Sequence, residues 1–208
     1  MLLITGISTS GGIAIMGFVG SKTSGSKTRL FTVGHSTRAI EELVKLLQSH
    51  NVQRLVDVRT VPRSRHNPQF NADALPVSLK NAGIWYSHMA ELGGLRHARR
   101  DSVNTGWRNA GFRGFADYMQ TPEFDAALGK LIEMAGRERV AIMCAEAVPW
   151  RCHRSLISDA LTARGIRVEH ITSAARTQAH ALTPFAKVSG TQVTYPPESL
   201  PLKFSEGE

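Results

Sequence analysis

The sequence predicts an α/β protein: a mostly parallel sheet of about five strands with helices on both faces, a Rossmann-like three-layer arrangement, followed by a small C-terminal hairpin. Short apolar runs at Leu30-Phe31-Thr32-Val33, Leu55-Val56-Asp57-Val58, Ile84-Trp85-Tyr86, Val140 to Met143 and Val168 to Ile171 have the length of buried strands. Between most of them, apolar residues recur at helical spacing. Strands that alternate with helices need crossovers, so they pair in parallel.

With 208 residues, 42% hydrophobic and 20% charged, the chain can bury one substantial core. Residues 30–197 read as a single α/β domain, with a flexible N-terminal extension over 1–29 and a C-terminal tail over 198–208. Gly20 to Thr28 has linker composition, and Met16 offers a second start. The apolar patch Ile13 to Val19 has no basic segment ahead of it and is too short to span a bilayer. Neither a signal peptide nor a membrane partner is therefore expected. Two cysteines eight positions apart make no disulfide framework and point to a reducing, cytoplasmic setting. The formal net charge of +8 is uneven: residues 59–113 hold nine Lys or Arg against three Asp or Glu. Such a stretch either steers phosphates and nucleic acid or is simply a solvated surface.

The first strand ends in Gly34-His35-Ser36. A helix follows with Ile40, Leu43, Val44 and Leu47 on one face, Ser36 or Thr37 as its cap, and Glu41 and Glu42 in its early turns. The second strand, Val52 to Val58, carries Asp57, and a buried carboxylate needs a partner. Arg59 can be that partner, or the two can line a site. Thr60 to Asn71 is too polar and proline-rich for a regular element. A helix over 72–82 tolerates Pro76 and stops at Gly83, before the third strand. The next loop runs from Leu92-Gly93-Gly94 through Arg96 to Arg100 and on to Arg113, long enough for a lid or binding loop. Its Trp107 and Phe112, set among arginines, could stack bases. A short helix over 114–119 precedes one capped by Thr121, with Pro122 in its first turn and Phe124, Leu128, Leu131, Ile132 and Ala135 as its buried stripe. Leu156, Ile157, Ala160 and Leu161 face the core from the last helix, which Gly165 ends. The fifth strand holds His170, expected as a satisfied core histidine. Phe185 to Val188 and Val193 to Tyr195, joined at Ser189-Gly190, read as the hairpin.

The stretch Arg139 to Gly165 is the richest in chemistry. Its apolar run delivers Cys144 and Glu146 to a strand end, crosses Pro149-Trp150 and enters a helix led by Cys152, His153 and Arg154. In a parallel sheet all carboxyl ends share one edge, where a crevice opens if the strand order reverses. Asp57, Arg59, Cys144, Glu146 and His153 are expected to line one concavity there, with Arg63, Arg65 and Phe70 as its rim. His35, Ser36, Ser64, Cys152 and Arg154 are further ligand-binding candidates, and the helix N-terminus beside them suits an anion.

Thr32-Val33-Gly34-His35-Ser36, Asp57-Val58-Arg59, Pro62, Ser64 to Phe70, Leu92-Gly93-Gly94, Met143-Cys144-Ala145-Glu146, Cys152-His153-Arg154 and Leu182-Thr183-Pro184-Phe185 together resemble the domain of unknown function 488 family. The resemblance runs from about Phe31 to Pro196. It implies the α/β fold and supplies no activity, so no catalytic residue is carried over from it.

The residues leave several chemistries open. Cys144, at a strand end facing a helix N-terminus and arginines, can be a nucleophilic thiolate or a small buried hydrophobe. The pattern also looks somewhat like rhodanese and cysteine-phosphatase domains. Cys144 and Arg151 have six residues between them, a longer spacing than those folds use, and Glu146, Pro149 and Trp150 stand in place of a glycine-lined loop. That thiol chemistry is the minor alternative. Cys-x7-Cys-His is not a zinc spacing, and neighbouring Cys152 and His153 do not readily share an ion, so no metal is expected. Glu146 beside apolar Trp150 suits a general acid or base, or an ion-pair partner for Arg151 or Arg154. The leading reading is a small hydrolase or transferase for a phosphate-bearing or nucleotide-like ligand, with Cys144, Glu146, Asp57 and His153 as catalytic candidates. The alternative is a non-catalytic nucleic-acid-binding module built on the basic 59–113 region. The residues name no cofactor.

Overall fold

The computed structural model describes residues 28–197; most of the expected N-terminal extension and all of the C-terminal tail lie outside the described residues. One sheet contains β1 (Arg29–Gly34), β2 (Arg54–Asp57), β3 (Trp85–His88), β4 (Val140–Cys144), β5 (Arg167–Ser173) and β6 (Arg176–Ala179), in the order β3-β2-β4-β1-β5-β6. The first five are parallel, and β6 lies antiparallel to β5 at the edge. A separate hairpin pairs β7 (Lys187–Ser189) with β8 (Gln192–Thr194). The fold is therefore the expected α/β class with one strand more. Arg176-Thr177-Gln178-Ala179 carries no apolar alternation, so the sequence does not mark β6 as a strand. Its backbone pairs with β5, and Thr177 donates to Glu169 at 2.8 Å.

The strands are apolar on both faces because both are covered. Phe31, Val33, Leu55 and Met143 pack against α1 (Ile40–Ser49) and α2 (Leu75–Asn81). Leu30, Val56, Val140 and Ile142 pack against α3 (Ala110–Tyr118), α4 (Pro122–Arg137) and α5 (Arg154–Ala163). No helix among the described residues is long and apolar enough to cross a membrane.

Local chemistry sets the helix ends. Thr121 caps α4 by accepting from the Phe124 N–H at 3.3 Å, as expected. Asn109 caps α3 by accepting from Gly111 and Phe112, so that helix starts earlier than its apolar pattern suggested. Neither Ser36 nor Thr37 caps α1, which follows Ala39 without a side-chain cap. Ser36 instead has φ 50°, a left-handed turn out of β1.

Candidate active site

Neighbouring strands β1 and β4 send their following helices, α1 and α5, to opposite faces of the sheet, so a crevice opens between their carboxyl ends. Pairing continues past both strands, with His35 N–H donating to Cys144 O at 3.0 Å and Ser36 N–H to Ala145 O at 2.8 Å. Gly34 permits this approach, since a Cβ there would overlap the Glu146 carbonyl oxygen. The resulting cleft has a volume of about 650 Å³. Cys144, Cys152 and His153 line it together with His35, Ser36, Arg59 and Ser64, as do Arg63, Arg151 and Glu146.

The ligating atoms of Cys144, Cys152 and His153 all lie within 4.8 Å of one another. His153 Nδ1 is 3.9 Å from Cys144 Sγ and 3.7 Å from Cys152 Sγ. Its Nε2 is 3.1 Å from the Val58 carbonyl, which can only accept, so Nε2 carries a proton there and Nδ1 faces the sulfurs. The neighbours Cys152 and His153 converge because the backbone is extended at Cys152 and helical at His153. Gly94 makes room for the imidazole: a Cβ there would stand 2.6 Å from Nδ1. The Cys144 thiol donates to Cys152, and this holds the Cys152 sulfur well below the usual thiol range, helped by Arg154 Nε at 3.4 Å. The same bond, together with burial, pushes Cys144 up.

Asp57 does not line the cleft. It is fully buried behind Arg59, which grips it through Nε at 2.9 Å and Nη2 at 2.5 Å, while Tyr86 donates to it at 3.1 Å. Arg59 Nη1 donates to His35 Nε2 at 3.2 Å, and His35 Nδ1 donates to the Ser36 carbonyl at 2.8 Å. Both ring nitrogens of His35 are thus occupied, so it positions the wall and is not a free base. Burial, with the Arg59 charge, lowers its pKa to about 4.

Arg154, expected among the ligand-binding residues, is buried and turned inward, donating to the Glu146 carbonyl and to Thr32 Oγ1 at 3.2 Å. From there a bonded chain runs through His170 Nδ1 at 2.8 Å, His170 Nε2 to His180 Nδ1 at 3.0 Å, and His180 Nε2 to Asp159 at 2.8 Å. Arginine can only donate and a carboxylate can only accept, so the chain runs from a donor at one end to an acceptor at the other. Tyr195 and Thr183 donate to the same carboxylate at 2.8 and 2.7 Å, tying the C-terminal segment to the network. Burial, with His180 alongside, lowers His170 to about 4. His35 and His170 are therefore neutral in the fold and bind protons on unfolding once the pH drops below their ordinary value of 6.5. Their contribution is complete above pH 6.5 and lost as the pH falls through about 4. Urea unfolding at pH 7.5 and pH 4 should differ by a few kcal/mol, on the order of 2 per histidine after solvent screening.

Phe70 is not at the rim; it is buried, its ring 4.2 Å from that of His35 and its carbonyl bonded to Arg59. Arg65 is exposed outside the cleft lining, and Glu146 sits exposed at the mouth without the apolar cover expected from Trp150, itself exposed. The cleft also uses residues that no motif marked: Thr60, Val61, Leu95 and Asn109. Loop residues of ordinary type carry no sequence signal; only the exposed apolar Val61 and Leu95 are unusual, and exposure becomes visible in three dimensions alone.

The family model described as Domain of unknown function DUF488 matches residues 39–161. The chain belongs to the DUF488 family. No curated protein and no solved structure matches it. The DUF488 match contains Asp57, Arg59, both cysteines, His153 and Arg154; His35, Ser36 and the Leu182 to Phe185 segment lie outside it.

Proposed function

We propose that the cleft is the active site of a small enzyme, a hydrolase or transferase, acting on a phosphate-bearing, nucleotide-like ligand. One observation carries this reading: a cluster of two sulfurs and an imidazole lines the same concavity as Arg63 and Arg151, neither of which has an ion-pair partner among the described residues. The N-terminus of α5 adds its partial positive charge at that end. Val61, Leu95 and Phe112 offer an apolar wall suited to a ring or base. The cysteine and histidine cluster is the reacting end, and Glu146 at the mouth is placed to exchange protons with solvent.

A nucleic-acid-binding module is less well supported. Trp107, which the sequence offered as a stacking surface, is packed between Phe112 at 4.7 Å and Phe185 at 4.9 Å. Arg96 lies 3.7 Å over the Tyr118 ring, and Arg99 pairs with Asp101 at 2.8 Å. The test is titration with nucleoside monophosphates and pyrophosphate. The Arg63→Ala/Arg151→Ala variant should bind at least about tenfold more weakly than the parent, at about 1 kcal/mol or more per lost charged hydrogen bond. Arg99→Ala/Arg100→Ala should bind as the parent does. The reverse ranking, with salt-dependent affinity for oligonucleotides, would favour the binding module.

A further inference from the structure

We infer that Cys144, Cys152 and His153 are the protein ligands of one thiophilic divalent metal ion, best fitted by zinc, with a fourth coordination position open to the cleft. The existence of the site rests on geometry alone, whereas its role, holding an oxygen of the phosphate-bearing ligand or a water beside it, rests on the reading proposed above.

The distances have the size that a metal requires. Zinc bound tetrahedrally at ~2.3 Å from sulfur and ~2.0 Å from nitrogen sets those atoms roughly 3.6 Å apart. The two sulfur-to-Nδ1 separations here are 3.9 and 3.7 Å, and all three ligating atoms lie within 4.8 Å of one another, so rotation of the two cysteine side chains would close the site. With Nε2 donating to the Val58 carbonyl at 3.1 Å, Nδ1 faces the sulfurs and is the ring nitrogen a metal would take. Metal-binding histidines are held in this way, with the distal N–H fixed to a backbone oxygen. Each ligand is also braced from behind. Arg154 Nε donates to Cys152 Sγ at 3.4 Å, the backbone at Gly94 lies against the imidazole, and Phe115 presents its ring at 5.1 Å and 65°. Cys144 ends β4, where the His35 N–H holds its carbonyl.

The donor set selects the ion. Thiolate and imidazole favour zinc and its soft neighbours over magnesium or calcium, which require oxygen. Three protein ligands with the remaining direction facing a solvent-filled cleft is the arrangement of a reacting centre; a purely structural zinc has four. All three residues line the cleft, so the open position faces the space that Arg63 and Arg151 overlook.

The experiment is metal analysis and cobalt substitution of the full chain, purified under reducing conditions. One ion per chain is expected. After chelation, cobalt should restore it with the visible bands of a tetrahedral site and a thiolate-to-cobalt charge-transfer band. Cys144→Ser, Cys152→Ser and His153→Gln should each weaken uptake at least tenfold with unchanged far-ultraviolet circular dichroism. In the unmodified chain zinc should slow alkylation of both cysteines, a readout that does not depend on any variant folding. Inorganic phosphate should alter the cobalt spectrum. Absence of metal and of any cobalt band in the folded, reduced chain overturns the inference, as does a Cys144–Cys152 disulfide whose reduction restores no metal uptake. Cobalt bands that phosphate leaves untouched overturn the open fourth position. Failure here with the Arg63→Ala/Arg151→Ala effect intact leaves the ligand-binding cleft standing; metal uptake without that effect leaves the metal and removes the proposed ligand.

Discussion

Asp57→Ala should destabilise this DUF488 protein by about 3–5 kcal/mol, measured as a loss of unfolding free energy in urea at pH 7.5. The carboxylate is fully buried, and Arg59, itself buried, spends its Nε and Nη2 on it. Truncating Asp57 leaves a buried guanidinium without its counter-ion and removes the acceptor for the Tyr86 hydroxyl. His35 would lose its orientation with it, because Arg59 Nη1 is what occupies His35 Nε2. Arg99→Ala also breaks an arginine–aspartate pair, at 2.8 Å, but both partners are more than half exposed, and no measurable change is expected. Similar small effects at the two sites would mean that Asp57 is not the anchor of the wall.

Gly34→Ala should cost at least about 3 kcal/mol and detach the loop that carries Glu146, the upper end of what overpacking produces. The added methyl would overlap the Glu146 carbonyl oxygen and stand 2.7 Å from its carbon and 2.8 Å from Ala147 Cα. All three are backbone atoms, so no side chain can rotate away. The loop must move, and with it the Glu146 carbonyl that Arg154 holds. Gly129→Ala and Gly136→Ala in α4 provide the contrast. A Cβ at either meets nothing within 4 Å, and alanine favours a helix by about 1 kcal/mol over glycine, so both should stabilise. Thermal melts of the three variants would order them: Gly34→Ala far below the parent, the other two at or above it.

These two positions also show how far the fold and site were legible in the residues. Asp57 stands out as an acid in an apolar run, and Arg59 is one of the partners that its neighbourhood offers. That the pair is sealed behind the cleft depends on Tyr86 from β3 and the Phe70 carbonyl, which no local pattern reveals. Gly34 and Gly94 were visible only as motif letters. Their meaning is a distance to Glu146 and to His153, and distances between remote segments have no sequence signature. The strands β1, β2 and β4 and the helices α4 and α5 could be read because apolar periodicity is a local property. Strand β6 could not, since its pairing is carried by the backbone. Its place beside Cys152 and His153 in the sequence makes Arg154 look like a ligand contact. The first turn of α5 instead sends it inward to Thr32, behind the Cys152 sulfur and out of the cleft lining.

The most direct single measurement is amide mapping of the full chain by NMR during titration with a nucleoside monophosphate. Shifts should move together and saturate with one affinity at residues 35–37, 60–64, 144–146 and 151–153, the backbone segments that meet at the cleft. Shifts confined to the surface around Arg99, Arg100 and Arg108, or none at any concentration while inorganic phosphate and pyrophosphate also fail, would contradict a single phosphate-binding active site at the carboxyl edge of the sheet.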